Sequence, residues 1–97
     1  MTLFHLALRS DWERSEATGR YRPAEGGEFV HCCDDLETVS AVARARFAHV
    51  TEPLVVLELD EAALDVEVRR EPAADGRLFP HVYGSLPRSA VRAVRPL

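Results

Sequence analysis

The sequence predicts an α+β fold: one compact domain with a split, mixed or antiparallel β-sheet flanked by helices. Short strand-like segments recur along the chain, at Thr2–Leu8, Glu28–Cys33, Pro53–Asp60, Val66–Glu71, Leu78–Tyr83 and Val91–Arg95. One amphipathic helical segment, opening after Asp34-Asp35, interrupts them. A chain of 97 residues can bury a single core without staples. No repeat, low-complexity tract or composition shift marks a boundary, so residues 1–97 read as one domain.

The elements follow in order. In Thr2–Leu8, Phe4, Leu6 and Leu8 fall on one face and Leu3, His5 and Ala7 on the other. Both faces are mostly apolar, as in a strand covered on both sides. Ser10-Asp11-Trp12-Glu13 has the spacing of a capping box that opens a short helix, and Gly19 is a natural stop. Tyr21–Gly27, with Pro23 and Gly26-Gly27, reads as a loop. Glu28–Cys33 reads as a strand with Phe29, His31 and Cys33 on one face and Val30 and Cys32 on the other. Asp34 with Glu37 repeats the capping-box signal, and Leu36, Val39, Val42, Ala43, Phe47 and Val50 follow at helical spacing.

The continuous run Leu54-Val55-Val56-Leu57 predicts a buried strand, followed by one helical turn over Asp60–Leu64. Val66–Glu71 is a further strand ended by Pro72, with Ala73–Arg77 a loop around Asp75-Gly76. In Leu78–Tyr83, Phe79, His81 and Tyr83 share a face, and Pro80 points to an edge or a bulge. Gly84–Ser89 turns the chain into a last short strand.

Composition narrows the function. The net charge of -4 argues against a nucleic-acid or anionic-membrane partner. All 12 basic residues are arginine, which reads as coding bias. Without lysine there is no Schiff-base nucleophile and no phosphate-loop lysine. Met1-Thr2-Leu3-Phe4 lacks the charged start of a signal peptide, and Arg9-Ser10-Asp11 breaks the apolar run early. No stretch reaches transmembrane length. The expectation is a cytoplasmic chain with Cys32 and Cys33 reduced.

Candidate chemistry gathers around histidine. His5, His31 and His81 lie in strand-like segments, whereas His49 ends the main helix as a partner for its C-terminal dipole. A single such histidine is ordinarily a hydrogen-bonded core residue. Three in one small domain suggest a shared cleft, because each buried ring needs partners for its nitrogens. Histidines with a thiolate suit zinc, but Cys32 and Cys33 are adjacent and point to opposite faces. There is no Cys-x-x-Cys and no His-Glu-x-x-His, so no metal is expected. His31 and Cys33 sit two apart on one face, a spacing a cysteine nucleophile and its base could use. The plainer account is that Cys32 packs as a small hydrophobe and Cys33 leads into the helix. Glu71, held extended by Pro72 and followed by "LFPHVYG", could stabilise a cationic transition state or take a proton; otherwise it is an exposed strand-end carboxylate.

Several segments in order resemble a known family: "FHLA", then Trp12 and "G-x-Y", "EFVHCCD", "ARF", "LVVLELD", "REP" and "LFPHVYG-L". Together they are similar to the bacterial domain-of-unknown-function family DUF952, over nearly the whole chain. "F-[IV]-H-x-[SC]" and "FPH-[IV]-YG" are its specific parts. The resemblance implies an ADP-ribosyltransferase-like fold, a split sheet that cradles NAD. It implies that His5 occupies the first-strand position that holds ribose and His31 the second-strand position near nicotinamide, with Glu71 or His81 as the later group. Histidine stands at the second-strand position instead of the common tyrosine, Glu71 precedes a proline, and Cys33 stands where the family has serine.

On that resemblance the catalytic candidates are His31, Glu71 and His81, and the cofactor-binding candidates are His5, Cys33, Arg46 and Tyr83. NAD would be the substrate. Glu71 would favour the positive charge that develops as the nicotinamide–ribose bond breaks. His31 or Tyr83 would stack on nicotinamide, His5 would bond ribose hydroxyls and Arg46 would meet pyrophosphate. Two functions follow: an enzyme that transfers ADP-ribose or hydrolyses NAD, or a non-catalytic domain binding a nucleotide or small metabolite.

Overall fold

Alternating apolar residues on the first strand require cover on both sides, and the chain supplies it with a helix on one face and a second sheet on the other. The computed structural model describes residues 1–97. Its elements are β1 (Thr2–Leu8), α1 (Arg9–Arg14), β2 (Arg20–Tyr21), β3 (Val30–His31), α2 (Leu36–Arg46), β4 (Leu54–Asp60), β5 (Glu67–Pro72), β6 (Leu78–Tyr83), β7 (Leu86–Pro87) and β8 (Val91–Pro96). Short 3₁₀ turns follow α1, β4 and β7. The strands form three ladders, β1-β4-β8, β3-β6-β5 and the ribbon β2-β7. Every pairing is antiparallel, so the sheet is not mixed.

The larger core lies on the Leu3–Ala7 face of β1. It joins Val55, Leu57 and Leu59 of β4 to Val30, Cys32 and Val82, and Tyr21 and Leu86 of the ribbon close it. The other face carries Leu6 and Val56 against Cys33 and Val39, with Val42, Ala43 and Phe47 of α2 packed around them. Val39 is fully buried there, which is worth about 1.5–3 kcal/mol, and the partly buried Val42 and Phe47 add to the hold of α2 on the sheet.

One backbone pairing joins the two three-stranded sheets. Phe4 pairs with Cys33, its N–H donating to the Cys33 carbonyl at 2.8 Å while the Cys33 N–H donates back at 2.7 Å. This seam explains why the expected strand Glu28–Cys33 is reduced to Val30–His31. The Cys32 N–H still donates to the Pro80 carbonyl at 3.0 Å, but proline has no N–H to return. The ladder stops there and Cys33 crosses to β1. Pro80 is therefore neither at an edge nor in a bulge: it is buried in the central strand β6, opposite Arg70.

Four local expectations change. The Ser10 capping box does not form, since α1 begins at Arg9 and Ser10 Oγ donates to Glu52 instead. Asp35, not Asp34, caps α2, accepting from the Thr38 N–H at 2.7 Å; Asp34 pairs with Arg70. That helix ends at Arg46, so its last-turn cations are Arg44 and Arg46 and His49 lies beyond it. Tyr21 belongs to a strand and not to a loop, whereas β5 does end on Pro72. No helix is long and apolar enough to cross a membrane.

Candidate functional site

The antiparallel register of β3, β6 and β5 brings the chemistry together. His31 lies opposite His81, and Arg69 also lies opposite His81 from the far side. Residues directly opposite in such a ladder share a face, and period-two alternation adds Phe79, Tyr83, Glu67 and Glu71 to that face. Val30, Val68 and Val82 turn the other way, into the larger core.

Glu71 is the hub. Its Oε1 accepts from His81 Nδ1 at 2.8 Å and from the Tyr83 hydroxyl, while Oε2 has no hydrogen-bond partner. These donors, Tyr83 first and His81 second, hold the Glu71 carboxyl below the usual glutamate range and keep it ionised. The same bond raises the Tyr83 phenol, so its proton stays on oxygen. Arg69 lies over the Tyr83 ring, 4.4 Å from its centroid.

His31 is exposed, and neither of its ring nitrogens is hydrogen-bonded within the protein. Partial desolvation, the Arg46 charge and His81 lower its pKa, so the ring is neutral near pH 7. Its ring meets that of His81 edge-on, with centroids 5.2 Å apart. Phe29 stacks on His81 with centroids at 3.9 Å and planes 18° apart.

Beside this cluster, a cavity of about 980 Å³ runs along α2 between the helix and the Pro23–Gly27 loop. His5, Phe29, His31, Cys33, Arg46 and Arg77 are among its lining residues. Glu71, His81 and Tyr83 are not. Phe29 and His31 form the border between cavity and cluster.

The candidates thus fall into three groups. Glu71, His81, Tyr83 and His31 form one contiguous cluster. Arg46 stands on the cavity wall, close enough to act electrostatically on His31. His5 and Cys33 carry structural ties. His5 is buried, its Nδ1 faces the His31 carbonyl at 2.5 Å and its Nε2 faces the Tyr21 hydroxyl at 2.8 Å. A carbonyl only accepts, so Nδ1 carries the proton and Nε2 accepts from Tyr21. Burial lowers the His5 pKa to about 4, and both nitrogens are already satisfied. Cys33 is buried against Leu6, Val39 and Val56, and desolvation raises its thiol to about 11, leaving it a poor nucleophile at neutral pH. No group of three or more His, Cys, Asp and Glu side chains is gathered to hold a metal ion.

Sequence reasoning did not assign Phe29, Arg69, Tyr21 or Arg77 to the site. Alternation offered a signal for the first two, since Phe29 shares the His31 face and Arg69 the Glu71 face. For Tyr21 there was none, because its contact with His5 spans sequence-distant strands.

The family described as "Protein of unknown function (DUF952)" matches residues 6–94. The X-ray structure of protein CC0527 from Caulobacter crescentus is similar with a TM-score of 0.85 at 24% identity, covering 100% of this chain and 86% of that one. A double mutant of the same protein gives a TM-score of 0.85 at 23% identity over the same shares. At such identities the likeness shows the fold alone. No curated protein matches the chain.

Proposed function

We propose a nucleotide-processing function for this chain, which belongs to the family described as "Protein of unknown function (DUF952)". The ligand is a dinucleotide of the NAD class, and the reaction is cleavage of its nicotinamide–ribose bond on an ADP-ribosyltransferase-like fold. One observation carries this: an ionised carboxylate, Glu71, has one oxygen fixed by His81 and Tyr83 and the other unpartnered, on the same face as the neutral, exposed His31.

The chemistry suits those groups. As the C–N bond breaks, nicotinamide leaves with the bonding electron pair and C1′ of the ribose becomes oxocarbenium-like. The free Glu71 Oε2 supplies a localised negative charge for that centre without needing to reorient. Water, or another hydroxyl acceptor, then adds to C1′. Neutral His31 can take the proton the nucleophile gives up. Arg46 is suited to phosphate by its planar guanidinium, and the cavity along α2 has room for the rest of the dinucleotide. In this scheme His5 acts on the site through the His31 backbone and not on ribose directly.

A second reading, binding without catalysis, is favoured by one observation: the cavity stops at Phe29 and His31, with Glu71 outside it. Proton NMR of the protein mixed with NAD separates the two. Free nicotinamide that disappears in His31→Ala and Glu71→Gln identifies the enzyme. Line broadening of NAD without nicotinamide identifies the binding domain, and the absence of both effects overturns the nucleotide assignment.

A further inference from the structure

We infer that Phe29 is the specificity-determining residue of this site, a ring of the protein's own occupying the position of the ligand's ring, and that the ring it yields to is a flat pyridinium cation. The inference rests on the NAD-class assignment above and deepens it.

Phe29 touches each ring of the cluster. It stacks on His81 at 3.9 Å, meets His31 edge-on at 4.7 Å and lies tilted to Tyr83 at 5.3 Å. It also lines the cavity, whereas His81, Tyr83 and Glu71 do not. With His31, the ring therefore partitions the room for a ligand from the carboxylate that would act on it.

Its tether permits movement. Phe29 lies outside any strand and is only partly buried, while Ala24 to Glu28 just before it are exposed. The loop is held by few polar contacts, among them the Arg22 guanidinium on the Gly27 carbonyl at 2.7 Å and the Ala24 N–H on Asp11 at 3.3 Å. Gly26 and Gly27 supply backbone freedom just before the ring. A ring outside the strand ladder can swing without breaking any pairing of β3.

The vacated space selects a ring by charge and shape. Its walls are the flat face of His81, the edge of His31 and the Tyr83 ring, with the Glu71 carboxylate behind. Aromatic faces and a carboxylate favour a planar cation. Oxidised nicotinamide is such a ring, whereas the neutral, puckered dihydropyridine of the reduced form forfeits both the charge and the stacking.

Titration calorimetry with the 1-methylnicotinamide cation, NAD and NADH on wild type, Phe29→Ala and Phe29→Leu tests this. Phe29→Leu keeps apolar bulk in case the alanine variant unfolds, which a thermal melt would report. Removing the resident ring is expected to tighten 1-methylnicotinamide binding about fivefold, the gain expected when a stacked competitor no longer fills the subsite. NAD is expected to bind ahead of NADH, and Phe29 ring resonances to shift when it binds. Equal or weaker 1-methylnicotinamide binding in both variants overturns the inference. If wild type binds NAD while the Phe29 resonances stay fixed, the inference falls and the NAD assignment stands. If the variants bind the cation tighter but NAD is never cleaved, the inference stands and catalysis falls. If no form binds either nucleotide or the cation, both fall.

Discussion

His5 holds the backbone of His31: its Nδ1 donates to the His31 carbonyl at 2.5 Å, and Tyr21 fixes the other nitrogen. The histidine of the first strand thereby sets the position of the histidine on the third. In the fold the His5 ring resists protonation, with its pKa lowered by burial to about 4. The unfolded chain accepts that proton near pH 6.5. Between those values protons favour unfolding, so stability should fall as pH drops from about 6.5 to about 4, by roughly 3 kcal/mol. The depressed pKa of His31 acts in the same direction. Urea melts across this range check it, and His5→Gln, which keeps a donor and an acceptor, should flatten most of the slope.

Glu71→Gln keeps the shape of the cluster and removes its charge. Nicotinamide release should fall roughly a hundredfold or more while NAD affinity changes little, because the charge matters most where positive charge develops. Single-turnover rates alongside calorimetry would read the two effects separately. Unchanged release would remove Glu71 from the chemistry.

Cap assignment at α2 gives a sharp comparison. Asp35→Ala removes the acceptor for the Thr38 N–H and should cost about 1 kcal/mol. Asp34→Ala removes only a partly exposed pair with Arg70 and should cost well under that. Denaturant melts of the two variants should order them this way; the reverse order would restore Asp34 as the cap.

Gly84 follows Tyr83 with φ +150°, and a Cβ there would sit 2.8 Å from Val66 Cγ1. Gly84→Ala should therefore destabilise by about 1–3 kcal/mol, through both backbone strain and overpacking. A fall in melting temperature of several degrees is expected.

Much of the fold was legible because two periodicities are strong here. Alternation in β1 and β6 assigned faces correctly: Leu3 and Ala7 do face one core and Phe4 and Leu6 the other, and Phe79, His81 and Tyr83 do share a side. Helical spacing found Val39, Val42, Ala43 and Phe47 on the inward side of α2, whereas Leu36 is exposed and Val50 lies beyond the helix. What failed depends on partners far along the chain. Arg20-Tyr21 is a strand only because Leu86-Pro87 lies beside it. Asp34 and Asp35 are equivalent by motif, and the reach of Arg70 separates them. The histidines looked alike in sequence, yet His5 is satisfied by the protein whereas His31 is not. That distinction rests on which groups surround each ring, and only register supplies it.

The seam at Phe4 and Cys33 has a consequence for how such a chain can drift. The two sheets are joined there by main-chain atoms, so the link is indifferent to which side chain position 33 carries. Serine, cysteine or alanine can succeed one another at that point without parting the halves. The link itself bars proline from both positions, since each lends its N–H to it. A lineage could thus retune the chemistry beside His31 through residue 33 while inheriting its scaffold unchanged.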